Sequence, residues 1–434
     1  MVRKRFQLGL IHLAVAMTLV PINSTLNRVM IKELSISATL VAVMASLPYL
    51  ISPIQVAIGS YADNHPIRGY YRSPYILLGL FFCVAGVMVS PQIAFVLDEN
   101  FWGGLVVGIL AFGAWGLGYN LAAVSYLSLA SELSDEKGKG RTIAVMWVMM
   151  ILGIILTAVT LSRLVEPYTE DALQRSFLIV GGAALVLGLI GLAGLEGKNK
   201  KPAGSSQERI TWSTMARSIW SNAQARLFFW YLIILLAALL GQDILLEPFA
   251  AEAFGLSVRE TTQITSFWGI FVMLALVLTG WLETRYAKRK IAAWGGWGAF
   301  LGFGLITLSG FVGSQAWFYT GVLFLGVGTG ISTVSNLSLM LDMTIAGRVG
   351  QFIGAWGMAN AISRLVGSVL GGAGRDVVTR ITQDAVLGFT LVFGIMAVFM
   401  LISLGLLNKI NVGEFLQNSD QPSVIERAAI AGDA

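Results

Sequence analysis

Residues 116–132 read GLGYNLAAVSYLSLASE, and residues 326–342 read GVGTGISTVSNLSLMLD. At a constant offset of 210, Gly116, Gly118, Val124, Ser125, Leu127, Ser128 and Leu129 recur as Gly326, Gly328, Val334, Ser335, Leu337, Ser338 and Leu339. The acidic close of the first segment, Glu132, recurs as Asp342. Short apolar segments can match by chance, but matched serines and a shared acidic end weigh against chance. The offset is close to half of the 434 residues, so the chain reads as one unit used twice.

The solvent for that unit follows from composition. Hydrophobic residues make up 56% of the chain and charged residues only 12%, with a mean hydropathy of +0.75. Soluble domains carry about a quarter charged residues, so this chain cannot hide its apolar surface in a water-soluble core. Apolar stretches long enough to cross a bilayer, roughly 20 residues, are expected at 8–31, 37–61, 74–96, 102–130, 142–164, 176–195, 227–250, 262–283, 291–312, 316–340, 352–372 and 385–407. The expectation is an all-α membrane protein of twelve transmembrane helices. Ten-residue stretches of alternating polarity, the mark of a membrane barrel, are absent. The 49 glycines suit helices whose backbones approach closely.

Basic residues set the sidedness. With the N-terminus cytoplasmic, inside segments hold 21 of the 29 Lys and Arg, and the outside loops hold only Lys32, Arg163, Arg175, Arg259, Arg375 and Arg380. Both termini are therefore expected in the cytoplasm, and the net charge of +5 reflects topology rather than nucleic-acid binding. Arg3, Lys4 and Arg5 precede a long first helix without a convincing cleavage site, so it is expected to stay in place as the first span. The tenth helix then repeats the fourth in the same orientation. Parallel six-helix repeats of this kind mark the major facilitator fold. The expected organisation is a six-helix half at 1–196, a cytoplasmic linker at 197–226, a second half at 227–410 and a disordered cytoplasmic tail at 411–434. Within the linker, Trp212, Met215, Ile219 and Trp220 fall near one helical face, as in a helix lying on the membrane interface, although a solvated linker would read the same way.

Charges within spans are costly and point to function. Arg28 lies in helix 1, Asp243 and Glu247 in helix 7, and Arg364 in helix 11. All four fall in the middle or outer half of helices running the same way, and Asp243 and Glu247 share a helix face. They would neutralise one another as an ion-pair latch, or form a polar ligand site or gate. Pro21 and Pro248 each free the carbonyl four residues earlier, at Met17 and Ile244. Asn23, Asn27 and Gln242 sit nearby.

The loops GSYADNHPIRGYYR (59–72) and GWLETRYAKRK (280–290) look like degenerate copies of the facilitator loop signature. In them Gly59 and Gly280 would permit close packing, and Asp63 would sit against a helix N-terminus. Asp63, Arg68, Glu132 and Asp342 are the candidate cytoplasmic gate. Asn64, His65 and Glu283 depart from the usual pattern, which puts ordinary transport cycling in doubt. His12 and His65 read as packed or interfacial, and Cys83 is the single cysteine. No metal-ligand cluster, nucleotide loop or nucleophile–base pair is evident, so an enzyme is not expected.

Two segments are more specific. STLNRVMIKEL (24–34) and QDILLEPFAAEAFGLSVRETT (242–262) resemble the helix 1 and helix 7 signatures of the bacteriochlorophyll delivery family of facilitator-like proteins, the PucC and LhaA type. IGSYADNHPIRGYYRSPYI (58–76) looks like that family's loop between helices 2 and 3. The resemblance covers nearly all the spans, and it contains Arg28, Asp243 and Glu247. It implies a membrane protein of a phototroph, in a plasma, intracytoplasmic or thylakoid membrane, that assists assembly of light-harvesting or photosystem complexes. Its implied cargo is chlorophyll or bacteriochlorophyll. Its implied partners are antenna or photosystem polypeptides and chlorophyll-synthesis enzymes. Arg28, Asp243 or Glu247 would organise the cargo's polar end, and Asn27, Gln242 and Arg364 complete the candidate ligand-binding or gating residues. Two other readings stay open: a proton-coupled transporter of a small amphipathic solute using Asp243 or Glu247, and a scaffold that binds antenna helices but no pigment.

Overall fold

The computed structural model describes residues 2–134, 139–198, 217, 219–344 and 349–419, and every regular element among them is helical. The first helix, α1, runs Val2–Pro21 and continues through two wide π turns, Ile22–Leu26 and Val29–Glu33. Helix α2 is broken into Ala38–Ala45, Leu47–Leu50 and Ile54–Asn64. Then come α3 (Ser73–Glu99), α4 (Phe101–Leu133), α5 (Lys139–Leu164) and α6 (Glu170–Leu192). Helix α7 runs Ala223–Gly241, tightens into the 3₁₀ turn Gln242–Ile244 and restarts as Leu246–Phe254. It is followed by α8 (Val258–Leu282), α9 (Lys288–Val312), α10 (Gln315–Asp342), α11 (Val349–Thr382), α12 (Ala385–Leu407) and a short α13 (Val412–Ser419).

Ten of these helices are long and apolar enough to cross a membrane. The other two expected spans fall short for visible reasons. Helix α2 is interrupted near Pro48 and Pro53, and α11 carries Gln351, Asn360, Arg364, Arg375 and Asp376. Most helices extend a few residues past the expected apolar stretches, as in Val349–Thr382 against 352–372. A helix continues into the interface as long as its hydrogen-bond ladder does, whatever its hydropathy. Where it starts is set by caps: Asn100, Thr169, Asn222 and Asp384 each accept a backbone N–H of the helix they precede, and Ser257 with Glu260 forms a capping box.

The packing pattern recurs along the chain. Helix α1 packs on α5 and α6, and α7 on α11 and α12; α3 packs on α4 and α6, and α9 on α10 and α12. The glycines of the two matched segments take equivalent seats. A Cβ on Gly118 would stand 2.7 Å from the Gly79 carbonyl oxygen of α3, and one on Gly328 would stand 2.8 Å from the Gly295 carbonyl oxygen of α9. Gly116 abuts Pro48 of α2, and Gly326 abuts Trp268 of α8. Only glycine allows backbones this close. Contacts between the two sets run mainly through α5 with α8 and α2 with α11. Large apolar side chains such as Leu110, Val277 and Val312 face outward and are about two-thirds exposed, at 68%, 69% and 67%, which suits lipid and not water.

One expectation is corrected here, and another falls mostly outside the described residues. The tail is not disordered from residue 411, because Val412–Ser419 is helical and docks on the start of α7: Asn222 donates to the Phe415 carbonyl at 3.0 Å and Gln224 to Glu414 at 2.8 Å. Residues 420–434 lie outside the described residues. Of the expected interfacial helix at 207–225, Trp212 and Met215 lie outside the described residues, while Ile219 is buried and Trp220 exposed against α7.

Candidate functional site

We call the end of the molecule that carries Val2 and α13 the near end, and the other the far end. The central polar cluster lies between them and is built by the crossing of α7 with α11. A Cβ on Gly241 would sit 2.7 Å from the Gly367 carbonyl carbon, and one on Gly367 would sit 2.0 Å from the Ala237 oxygen. That approach sets Asp243, two residues past Gly241, opposite Arg364, three residues before Gly367. The Arg364 Nη1 lies 3.1 Å from Asp243 Oδ2. The Arg364 guanidinium also lies 4.6 Å from the centre of the Tyr49 ring of α2, which meets Tyr119 of α4 edge-on at 6.2 Å. Gln242 Nε2 donates to Asp243 Oδ1 at 2.7 Å. Although mid-helix, Asp243 and Arg364 keep 24% and 20% of their side-chain surface accessible, so they are not fully packed core.

Glu247 belongs to a second cluster one turn further on. Ser24 of α1 donates to its Oε1, as does Thr265 of α8 at 2.6 Å, while Thr25 and Thr262 hydrogen-bond beside them at 2.9 Å. Its other oxygen, Oε2, is buried without a partner among the described residues, as is Gln242 Oε1. Buried polar atoms normally find partners, so both oxygens are available to a bound group or to water.

The expected four-charge constellation therefore resolves into one pair plus two separate groups. Arg364 and Asp243 meet. Arg28 does not pair with Asp243 or Glu247; it is buried, pairs with Glu33 and donates to the Leu256 carbonyl at 3.2 Å. Five residues apart, Arg28 and Glu33 would lie roughly 140° apart around a regular α-helix. The π turn Val29–Glu33 widens the coil and brings them together. The preceding π turn starts just after Pro21, which cannot donate to Met17. Nearby, burial pushes the Tyr168 phenol up to about 12, Glu33 adding to the rise and Arg28 opposing it. Asn27 is buried and folds back to donate to the Asn23 carbonyl at 3.1 Å. Tyr49, Tyr119 and Thr265 had no signal in the sequence beyond ordinary polar residues in spans, and Ser24 and Glu33 lie in the quoted stretch 24–34 without a feature that marks them as partners of Glu247 and Arg28.

At the near end, Asp63 and Glu132 come together, but through Arg72 and not Arg68. Arg72 Nη2 lies 2.5 Å from Asp63 and 2.6 Å from Glu132. Burial alone would lower the Arg72 guanidinium, and Glu132 and Asp63 more than offset this, holding it above its ordinary value. Arg68 occupies a left-handed turn position, φ 54°, beside Gly69, φ 85°, and points outward, exposed. Asp63 does not cap a helix. Glu196 does, accepting the N–H groups of Tyr71, Arg72 and Ser73 at the start of α3, the shortest at 2.7 Å. Later in the chain, Lys288 lies 2.7 Å from Asp342, and Ser338 donates to Glu283 at 2.9 Å. Gly59 makes only ordinary contact with Val124, and Gly280 faces open space, so neither is a close-packing glycine. His12 is buried against Tyr126, and the exposed His65 stacks on Tyr61.

These features define a class: a polytopic helical membrane protein with the fold of major facilitator-type transporters. The chain superposes on a bacterial homolog of the human lysosomal transporter Spinster, in an inward-facing conformation, with a TM-score of 0.74 over 97% of this chain and 99% of that one at 12% identity. It matches the nucleoside transporter NupG equally well, at 0.74 over 94% and 99% with 15% identity. The family is narrower than the fold. The PUCC protein profile matches residues 25–415, and the chain belongs to that family. It is 28% identical over 401 residues to a protein from the puhA-bchM intergenic region of Rhodobacter capsulatus, covering 89% of this chain and 83% of that one. It is likewise 28% identical to the protein PucC of Rhodovulum sulfidophilum, over 88% and 86%. A third relative, at 28% over 92% and 93%, bears the name bacteriochlorophyll synthase 44.5 kDa chain, from Rhodobacter capsulatus.

Proposed function

We propose that this protein is a membrane-embedded assembly factor for photosynthetic pigment–protein complexes, which binds a (bacterio)chlorophyll between its halves and yields it to antenna or photosystem polypeptides. The observation that carries the reading is family membership across residues 25–415, joined to a relative named for bacteriochlorophyll synthesis. Arg364, Asp243, Gln242 and Tyr49 offer a charged, aromatic-backed patch inside an otherwise apolar bundle, suited to the polar edge of a tetrapyrrole whose tail lies on helix surface. Glu247 and Asn27 would line the next turn. In this reading the protein performs no covalent chemistry, and its dealings with chlorophyll-synthesis enzymes are those of a receiver.

The same proposal includes twelve spans in two parallel six-helix repeats, halves at 1–196 and 227–410, and both termini in the cytoplasm of a phototroph. The recurring packing of α1, α3 and α4 in α7, α9 and α10 supports the repeat, and the excess of Lys and Arg at the near end supports the sidedness. The near-end groups Asp63, Glu132 and Asp342 then act as cytoplasmic bracing, with Arg72 in the place first given to Arg68.

A transporter of a small amphipathic solute is the second reading, favoured by the fold of its structural neighbours. Asp243 is committed to Arg364, which leaves Glu247, held by hydroxyls, as the group to carry a proton. One preparation separates the readings: the protein purified in mild detergent from its phototrophic host, with its visible absorption recorded. A stoichiometric red chlorophyll band, lost in Arg364→Ala and Asp243→Asn, is the expected result. A colourless monodisperse protein that moves solute in vesicles would overturn it in favour of transport; antenna polypeptides without excess pigment would overturn it in favour of a scaffold.

A further inference from the structure

Asp376 of α11 caps a helix that belongs to the other half of the chain. Its Oδ2 accepts from Ser37 Oγ at 2.6 Å, from Thr39 N at 2.9 Å and from Thr39 Oγ1 at 2.6 Å, and its Oδ1 accepts from Ala38 N at 3.2 Å. The first N–H groups of a helix have no partner within it, and a carboxylate there also meets the positive end of the helix dipole. A cap normally comes from the residue just before the helix. Here Ser37 gives only a long local bond, 3.4 Å to Leu40 N, and the carboxylate arrives from 337 residues away.

One turn earlier on the same face of α11 is Gly372. A Cβ there would stand 2.6 Å from the Ala38 carbonyl oxygen and 3.1 Å from Thr39 Cα, so glycine is what lets α11 lie against the start of α2. Arg375 steadies the carboxylate at 3.1 Å. Two further contacts cross the halves at this end, the Lys32–Glu252 ion pair and the Arg28 bond to the Leu256 carbonyl. Among the described residues, every hydrogen bond between the halves lies in the far half of the molecule, Ser266 to the Ile155 carbonyl at 3.4 Å, Ser24 to Glu247 and Thr25 with Thr262 among them.

We propose that Asp376 and Gly372 form the latch that holds the far end shut, and that the halves part there when it releases. Every bond of the latch joins the two halves, so rocking them apart breaks all of it at once, while water replaces the partners on both sides. Charge-assisted hydrogen bonds of this kind are strong enough that losing the carboxylate raises the open population about tenfold or more.

The test uses the full chain in lipid nanodiscs, with spin labels at Glu99→Cys and Gln315→Cys, exposed far-end positions in different halves; native Cys83 is buried. The parent is expected to give one short-distance population by pulsed electron spin resonance. Asp376→Ala, which removes the cap, and Gly372→Leu, which wedges the seam while leaving the carboxylate, should each shift weight to a longer distance by about tenfold in ratio. Arg380→Ala, next to the latch, should leave the distribution alone. If Asp376→Ala does not fold, Ser37→Ala with Thr39→Val removes the hydroxyl donors and is read in its place. Parent-like distributions in the folded cap and wedge variants would overturn the latch.

Discussion

The two ends of this molecule use the same kind of contact for opposite purposes. At the near end, among the described residues, charges bind helices within one half: Arg72 to Asp63 and Glu132, Glu196 to the start of α3, Lys288 to Asp342. At the far end, charges bind one half to the other: Asp376 to α2, Lys32 to Glu252, Arg28 to the Leu256 carbonyl. The near-end contacts can survive any relative motion of the halves, because neither partner changes half. The far-end contacts cannot. On the proposed latch, wiring of this kind makes the far end the place where the halves part.

The difference can be broken by mutation. The largest effect on stability is expected for Arg72→Ala, which leaves Asp63 and Glu132 facing each other without a cation. Removing one partner of a buried pair costs about 3–5 kcal/mol, discounted here to roughly 3 because both acids are partly accessible. A fall in thermal midpoint in detergent, without change in the far-end distance, checks it; a shift in that distance would show that the near end does not act within its half. Arg364→Ala comes next. It strips Asp243 of its cation and Tyr49 of its stacked guanidinium, a loss of about 2–3 kcal/mol, and Arg364→Lys should recover the charge but not the stacking. Glu247→Gln keeps the Ser24 and Thr265 hydroxyls in place and should cost about 1 kcal/mol. The same variant sharpens the functional choice: intact complex assembly with Gln at 247 would leave little room for a proton carrier there. Lys288→Ala breaks a pair that is 37% exposed on each side, worth at most about 1 kcal/mol. Smallest of all, Arg68→Ala should stay within about 0.5 kcal/mol, since the side chain is exposed and outside the Arg72 cluster.

How far the sequence reached depends on the range of the interaction involved. The duplicated glycine and serine pattern was legible, and the glycines sit where the duplication puts them, Gly118 on Gly79 and Gly328 on Gly295. That Arg28, Asp243, Glu247 and Arg364 need partners was legible too, because charges in apolar spans are costly, but not that Asp243 and Arg364 would be the two to meet. Arg28 was read toward the wrong partner. Its true one, Glu33, sits within the quoted stretch, but an α-helical ruler places it on another face, and only the π turn corrects this. Arg68 does not join the gate cluster, and spacing alone cannot tell that a left-handed turn points its side chain outward while Arg72 turns in.

The sequence by itself determined the solvent and the helices, because hydropathy and periodicity are properties of neighbours along the chain. It also determined which residues are too costly to leave idle in a membrane. Which of those residues meet was decided only in three dimensions. Asp376 and the start of α2 lie 337 residues apart, and nothing in either segment names the other. Their meeting depends on the packing of whole helices, down to the missing Cβ of Gly372, and that is a fact of tertiary structure.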